Sequence, residues 1–322
     1  MHQNKYILWI CCFVIIFIAF RQYNVSKKVS NQAQGNEPVL RKETKDITVM
    51  DNSILMPVEK VSEKPKVIIA PPRDPNAISA ESYFVGNLET GESYISFNSD
   101  KIFPIASLSK LFTALVNNHF IDPSKKITIT QAMLDAYGDA GHLIKDEIFT
   151  ANELLYPLLL ESSNDAAEAL AQSFGYKEFI ASMNSLSSEI GMESTSFKDA
   201  SGMNPSNISN TKDLFVLAKY LHKNEKPLLE ITKQKEMILA TTTDHGFHHF
   251  LSINPFVFYK PFLGGKTGRT DEAKESMITL LNYEISSMTY PIAIIVLRSE
   301  YGERESDTEK ILDRFSKKIE GK

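Results

Sequence analysis

Thiols are almost missing from this chain: of its 322 residues only Cys11 and Cys12 are cysteines, and both lie in one apolar run near the N-terminus. Beyond that run no disulfide, cysteine nucleophile or thiolate metal site is available. Basic charge is in deficit too, with 35 Lys and Arg against 40 Asp and Glu and a formal net charge of -5. Such a balance offers no field for nucleic acid. The third absence is a small-residue cleavage site. Residues 6–20 form an uncharged apolar stretch between Lys5 and Arg21, but the only small residue near its end is Ala19, followed by Phe20 and Arg21. A cleaved export signal carries an Ala-x-Ala-like site there. The stretch is also shorter than the roughly 20 residues that span a bilayer comfortably, which is the length argument for cleavage. The missing site decides for a single-pass membrane anchor over residues 1–21 with an extracytoplasmic domain behind it, secretion after cleavage being the alternative. Lys5 on one flank and Arg21, Lys27 and Lys28 on the other keep the positive-inside rule from fixing the orientation.

Residues 22–75 are polar, charged and turn-rich, with Lys27-Lys28, Glu63-Lys64-Pro65-Lys66 and Pro71-Pro72. Such a stretch buries too little apolar surface to offset its ordering entropy and is expected to be a disordered tether. About 50 flexible residues reach roughly 40 Å. Val67-Ile68-Ile69-Ala70 is the exception, a short strand or staple for the domain that follows. From residue 76 to 322 the pattern becomes globular. Ser82-Tyr-Phe-Val-Gly-Asn and Glu92-Ser-Tyr-Ile-Ser-Phe predict a hairpin turning at Glu89-Thr90-Gly91. Helices are predicted from Pro104 onward, with Leu108, Leu111, Phe112 and Leu115 at helical spacing, and over 150–160, 165–174, 177–190 and 211–222. Three strands follow, one ending in Gly264-Gly265-Lys266-Thr267-Gly268, then 276–283 and 290–297, and after them an amphipathic helix over 305–319. Strands at both ends around a run of helices predict an α/β (α+β) fold, one antiparallel sheet built from the two ends of the domain with a helical lobe inserted between them.

Three motifs carry chemistry: Ser107-Leu108-Ser109-Lys110, Ser162-Ser163-Asn164 and Lys266-Thr267-Gly268. Each is weak alone, since Ser-x-x-Lys recurs at Ser209 and Ser-x-Asn recurs at Ser96, Ser182 and Ser252. Their order and context carry the weight. Ser107 and Lys110 stand at i and i+3 on one helix, which brings hydroxyl and amine to one face. Lysine serves as the base for serine once burial or a second cation, here Lys266, lowers its affinity for a proton. A serine at a helix start also presents its own N–H to an oxyanion. Ser162-Ser163-Asn164 falls between two apolar helices, where polar side chains project into a cleft or cap the second helix. Lys266-Thr267-Gly268 lies on a glycine-rich strand along which a ligand can pair.

These motifs, with the blocks Pro104-Ile-Ala-Ser-Leu-Ser-Lys, Asp199-Ala-Ser-Gly-Met, Ser209-Asn-Thr-Lys-Asp-Leu and Gly265-Lys-Thr-Gly-Arg-Thr, resemble the serine-type D-alanyl-D-alanine carboxypeptidases among the low-molecular-mass penicillin-binding proteins. The resemblance covers residues 78–320 and implies a β-lactamase/transpeptidase-like fold. It implies that Ser107 attacks, Lys110 is the base, Ser162 relays a proton to the leaving amine and Asn164 holds the substrate amide and Lys110. Lys266, Thr267 and Gly268 would line the substrate strand, the first two binding its terminal carboxylate with help from Arg304. The Arg269 N–H would join that of Ser107 in the oxyanion hole. The implied substrate is a peptidoglycan stem peptide ending in D-Ala-D-Ala, the implied covalent inhibitors are β-lactams, and no metal or cofactor is called for. One departure stands out: Ala273 is followed by Lys274-Glu275 where the family pattern has an Ala-Gly pair.

Four other readings compete with this one. A class A β-lactamase needs a glutamate that activates the deacylating water, and no Glu-x-x-Leu-Asn element lies between Ser162 and Lys266. A DD-endopeptidase of the same fold is not separable from a carboxypeptidase on these residues. A binding protein on a dead site is disfavoured because every catalytic side chain is present. A metal-dependent peptidase built on His245, His248 and His249 lacks a helical spacing and a carboxylate motif, so these are expected to be surface histidines.

Overall fold

The computed structural model describes residues 77–135, 140–285 and 287–321. The apolar run at 6–20, the stretch at 22–75 and the expected strand at 67–70 lie outside the described residues.

The domain opens with the expected hairpin. Strands β1 (Ser82–Asn87) and β2 (Ser93–Phe97) pair antiparallel, with Gly91 at φ 80° supplying the left-handed residue of the turn. A two-residue strand β3 (Phe103–Pro104) and a 3-10 turn over Ala106–Ser109 lead into α1 (Lys110–Phe120). The helical lobe follows, with β4 (Lys126–Thr128), α2 (Gln131–Leu134), β5 (Ile148–Thr150), α3 (Leu155–Leu160), α4 (Asn164–Phe174), α5 (Tyr176–Glu189), β6 (Ile208–Ser209), α6 (Thr211–Asn224) and α7 (Lys226–Thr232). A second hairpin, β7 (Glu236–Leu239) with β8 (His248–Leu251), precedes three long strands, β9 (Phe262–Thr270), β10 (Lys274–Ile285) and β11 (Met288–Ser299), and the closing helix α8 (Arg304–Ile319).

The sheet order is β2-β1-β11-β10-β9, antiparallel throughout. Its central strands are buried on both faces, and the faces separate by the two-residue period of a strand. Val85, Ile292, Ile294 and Val296 pack with Ile311, Leu312 and Phe315 of α8. Their neighbours Phe84, Ala293, Ile295 and Leu297 belong to the core shared with the helical lobe. The sheet therefore sits between α8 on one face and the lobe on the other, as expected for strands from both domain ends enclosing a helical insertion. Phe315 is fully buried against Tyr94 and Tyr290, a burial that stabilises by roughly 1.5–3 kcal/mol.

Several local expectations are corrected. The helix expected from residue 150 begins at Leu155, because Ile148–Thr150 pairs as a strand with Lys126–Thr128. Thr150 and Glu153 bond reciprocally in the turn before that helix: the Thr150 N–H and hydroxyl donate to the Glu153 carboxylate, and the Thr150 hydroxyl oxygen accepts the Glu153 N–H. The short pairs β3–β6, β4–β5 and β7–β8, and helix α7, were not anticipated. His245 and His248 are buried at 6% and 5% exposure, so only His249 fits the surface expectation. His245 stacks on Phe149 at 4.8 Å and His248 meets the Glu147 carboxylate at 3.0 Å. Among the described residues no group of three or more His, Cys, Asp or Glu is placed to hold a metal ion.

Candidate active site

Ser107 lies on the 3-10 turn just before α1, one turn earlier than an α-helical first turn would put it. Its neighbours from Ile105 to Lys110 are buried, and Ser107 alone is partly open. Ala106 holds φ at 47°, a left-handed value costly for a residue with a Cβ. The bend is held by the Ser109 hydroxyl donating to Ala106 O at 2.8 Å, and by Asn207 Nδ2 donating to Ser109 Oγ at 3.0 Å. Two glycines let the chain close round it. A Cβ on Gly202 would lie 2.0 Å from Ala106 O, and one on Gly268 would lie 2.9 Å from Ile105 O and 3.2 Å from the Ser107 nitrogen. Strand β9 thus runs against Ser107 at Gly268, next to the Arg269 N–H that was expected to join that of Ser107.

Lys110 opens α1 and is fully buried. Its Nζ lies 2.9 Å from Ser107 Oγ, 2.7 Å from Asn164 Oδ1 and 2.6 Å from Ser201 O. Burial lowers its pKa from 10.5 to about 7, against the opposing pull of Asp199 and Glu168. The two oxygens of Asn164 and Ser201 can only accept. A neutral Lys110 therefore directs both N–H groups to them and turns its lone pair to the Ser107 hydroxyl. This is the arrangement a general base needs.

The second motif joins this cluster to the third. Ser163 caps α4, accepting the Ala166 N–H at 3.1 Å, while Ser162 takes φ 63° and Asn164 begins the helix. One serine thus caps and its neighbours face the cleft, the division left open by the sequence. Lys266, on β9 and 2% exposed, donates to Ser162 Oγ at 2.8 Å and to Thr267 O at 2.8 Å. Its pKa is held well below the usual lysine range by burial first, then by repulsion from Lys110 and Arg304. Burial, not Lys266, is the main cause of the low Lys110 value. Arg304, at the head of α8, donates from Nη1 to Gly268 O at 3.2 Å, and so reaches the same end of β9 as Thr267. Arg269 is exposed, its guanidinium 5.1 Å from the Tyr301 ring.

The departure at Lys274-Glu275 has a structural account. Glu275 is buried, accepts the Gly302 N–H at 3.0 Å and lies 4.0 Å from Arg304 Nε, so it anchors the turn that presents Arg304. Lys274 pairs with Glu300 at 2.8 Å. The second Ser-x-x-Lys is structural: Ser209 is buried against Thr195 Oγ1 at 2.7 Å, and Lys212 pairs with Asp100 on the surface.

Sequence reasoning missed the Ser201 carbonyl as a partner of Lys110. It also missed what fixes that carbonyl, namely Asp199, which accepts from Gly202 N at 2.6 Å, Asn204 N at 2.5 Å and Asn207 Nδ2 at 2.9 Å. Asp199 stood inside a recognised block, and Gly202 three residues on was the available signal.

The chain belongs to the D-alanyl-D-alanine carboxypeptidase family (peptidase S11), whose profile matches residues 68–293. It is 40% identical over 152 residues to a D-alanyl-D-alanine endopeptidase of Haemophilus influenzae, covering 45% of this chain and 51% of that one. It is 29% identical over 245 residues to the D-alanyl-D-alanine carboxypeptidase DacF of Bacillus subtilis, covering 74% and 62%. The match thus spans less than two thirds of either relative. Among solved structures, the Streptomyces K15 DD-transpeptidase superposes with a TM-score of 0.67 at 28% identity, covering 74% of this chain and 97% of that one. The fold is the transpeptidase-like fold expected from the motifs.

Proposed function

We propose that the chain is a serine-type D-alanyl-D-alanine carboxypeptidase that cleaves peptidoglycan stem peptides through an acyl-enzyme on Ser107. The observation that carries this is the Lys110 amine, fully buried, with two obligate acceptors and the Ser107 hydroxyl as its three partners. Lys110 takes the hydroxyl proton as Ser107 Oγ attacks the carbonyl of the penultimate D-Ala. The Ser107 and Arg269 N–H groups receive the negative oxygen. Lys266 returns a proton through Ser162 to the leaving amine, and water then hydrolyses the ester. Lys266, Thr267 and Arg304 hold the terminal carboxylate, while Asn164 holds the peptide amide and orients Lys110. β-Lactams acylate the same serine. An endopeptidase cutting cross-links would use the same groups, and the Haemophilus relative is named for that activity. Mass analysis of muropeptides after incubation separates the two: loss of terminal D-Ala alone supports the carboxypeptidase.

The apolar run at 6–20 and the polar stretch behind it support a membrane-anchored, extracytoplasmic enzyme. Full-length protein recovered in the membrane fraction, and freed from it by protease before residue 76, is the expected behaviour. The site itself is tested with Ser107→Ala and Ser209→Ala. The first abolishes peptide cleavage and labelling by a fluorescent penicillin, and the second leaves both largely intact. Labelling that survives loss of Ser107 refutes the assignment.

A further inference from the structure

Helix α4 carries a stripe of partly open polar residues at Asn164, Glu168 and Gln172, each one turn from the last. Asn164 touches Lys110, and Glu168 is the next residue down the stripe. The Glu168 carboxylate is partly buried, yet among the described residues it has no ion-pair partner. Its hydrogen bonds come from neutral groups, Gln172 Nε2 at 3.2 Å and the Tyr176 hydroxyl at 3.4 Å. A carboxylate withdrawn from water without a cation in contact costs free energy, and such groups gather where electrostatics serve chemistry.

Lys110 presents the complementary anomaly. It is a fully buried amine whose contacts are a hydroxyl, an amide oxygen and a peptide carbonyl, with no carboxylate among them. The charged groups that act on it through space are Asp199 from the loop before β6, Glu168 from α4 and Lys266 from β9. Of the two carboxylates, Asp199 is engaged by three donors that hold its loop. Glu168 has no such duty. The groups facing Glu168 in turn are Asp199, Lys110 and Tyr176.

We propose that Glu168 is a positioning residue for the reaction assigned above: it is the remote counter-charge of Lys110, and it sets the pH at which the amine is free to take the Ser107 proton. This rests on Ser107 and Lys110 being nucleophile and base. Removing a negative charge destabilises the ammonium form, so the base becomes neutral at lower pH. The acid limb of Ser107 acylation moves down in Glu168→Gln, by about half a pH unit or more, equivalent to about threefold faster labelling well below the wild-type midpoint. Glu168→Asp keeps the charge and holds the limb near its wild-type position.

The experiment measures the rate of labelling by a fluorescent penicillin from pH 5 to 9 in wild type, Glu168→Gln and Glu168→Asp. Lysine carbon NMR of the same proteins follows the Lys110 titration directly. A limb that stays in place in Glu168→Gln, moves upward, or falls by the same factor at every pH overturns the proposal, since a merely structural role would lower the rate without moving the limb. If Glu168→Gln does not fold, Glu168→Met carries the test, because it removes the same charge at similar volume and requires the same downward shift. An unlabelled wild type refutes the underlying reading and this proposal with it. A labelled wild type with an immobile limb refutes only the role of Glu168.

Discussion

Replacing Arg304 by alanine tests carboxylate recognition most sharply, because the structure separates what the side chain does for the fold from what it offers a substrate. Toward the protein it makes one hydrogen bond to Gly268 O at 3.2 Å and a long contact to Glu275 at 4.0 Å. Glu275 keeps the Gly302 N–H when the guanidinium is gone, so the turn retains its anchor. Toward the substrate, Arg304 would supply a charge-assisted contact beside Lys266 and Thr267. Such contacts are worth about 1.5–3 kcal/mol, or roughly 10- to 160-fold in kcat/KM. The assay is D-Ala release from an acylated D-Ala-D-Ala peptide, set beside leaving-group release from the same peptide with its C-terminus amidated. The loss should appear with the acid and vanish with the amide, with thermal unfolding of the two proteins compared as control. Arg304→Lys, which keeps the charge without the fork, should fall between them. An equal defect on acid and amide refutes the reasoning and leaves Arg304 a support of β9 alone.

Below neutrality, wild-type acylation should fall about fivefold from pH 7 to 6 and about tenfold from pH 6 to 5: with a pKa of about 7, Lys110 is about half neutral at pH 7, about one tenth neutral at pH 6 and about one hundredth at pH 5. A flat rate from pH 5 to 7, measured by penicillin labelling, excludes Lys110 as the base. Gly268→Ala should cut acylation by more than tenfold and lower Tm as well, because its Cβ would stand 2.9 Å from Ile105 O and 3.2 Å from the Ser107 nitrogen and force the backbone there to shift. Normal labelling of that variant would show that β9 stands off from Ser107.

The parts of this molecule that were legible in its sequence are those fixed by local pattern. The strands at 82–87 and 290–297 show as β-rich runs whose central residues are buried on both faces, and Leu108, Leu111, Phe112 and Leu115 at helical spacing mark a largely buried helix. The three motifs named the side chains that meet. What could not be read are contacts made by atoms with no side-chain signature. The Ser201 carbonyl, the left-handed turn at Ala106 and the space left by Gly202 are set by tertiary closure of the loop that Asp199 holds. The short strand at Ile148–Thr150 was hidden for a related reason: its partner at Lys126–Thr128 lies across a long connection, and only pairing distinguishes three β-compatible residues from the start of a helix. Glu275 looked like a departure because its partner, the Gly302 N–H, belongs to a turn remote in sequence.

Two buried lysines within one hydrogen-bonded site are destabilising for a fold, and their placement explains what they serve. The two are Lys110 and Lys266. Each bonds a different serine, and Ser162 and Asn164, two residues apart, connect the pair. Burial disfavours a charge on either amine, and repulsion disfavours a second charge once the first is present. On the proposed reaction this has a direct consequence. When Lys110 accepts the Ser107 proton it becomes an ammonium, and Lys266 is driven to give its own proton up. The acceptor in contact is Ser162 Oγ at 2.8 Å, on the path to the leaving amine. Proton uptake at the nucleophile and proton delivery at the leaving group are thereby coupled by electrostatics, with no histidine in the site, and the site returns to a single charge after each transfer.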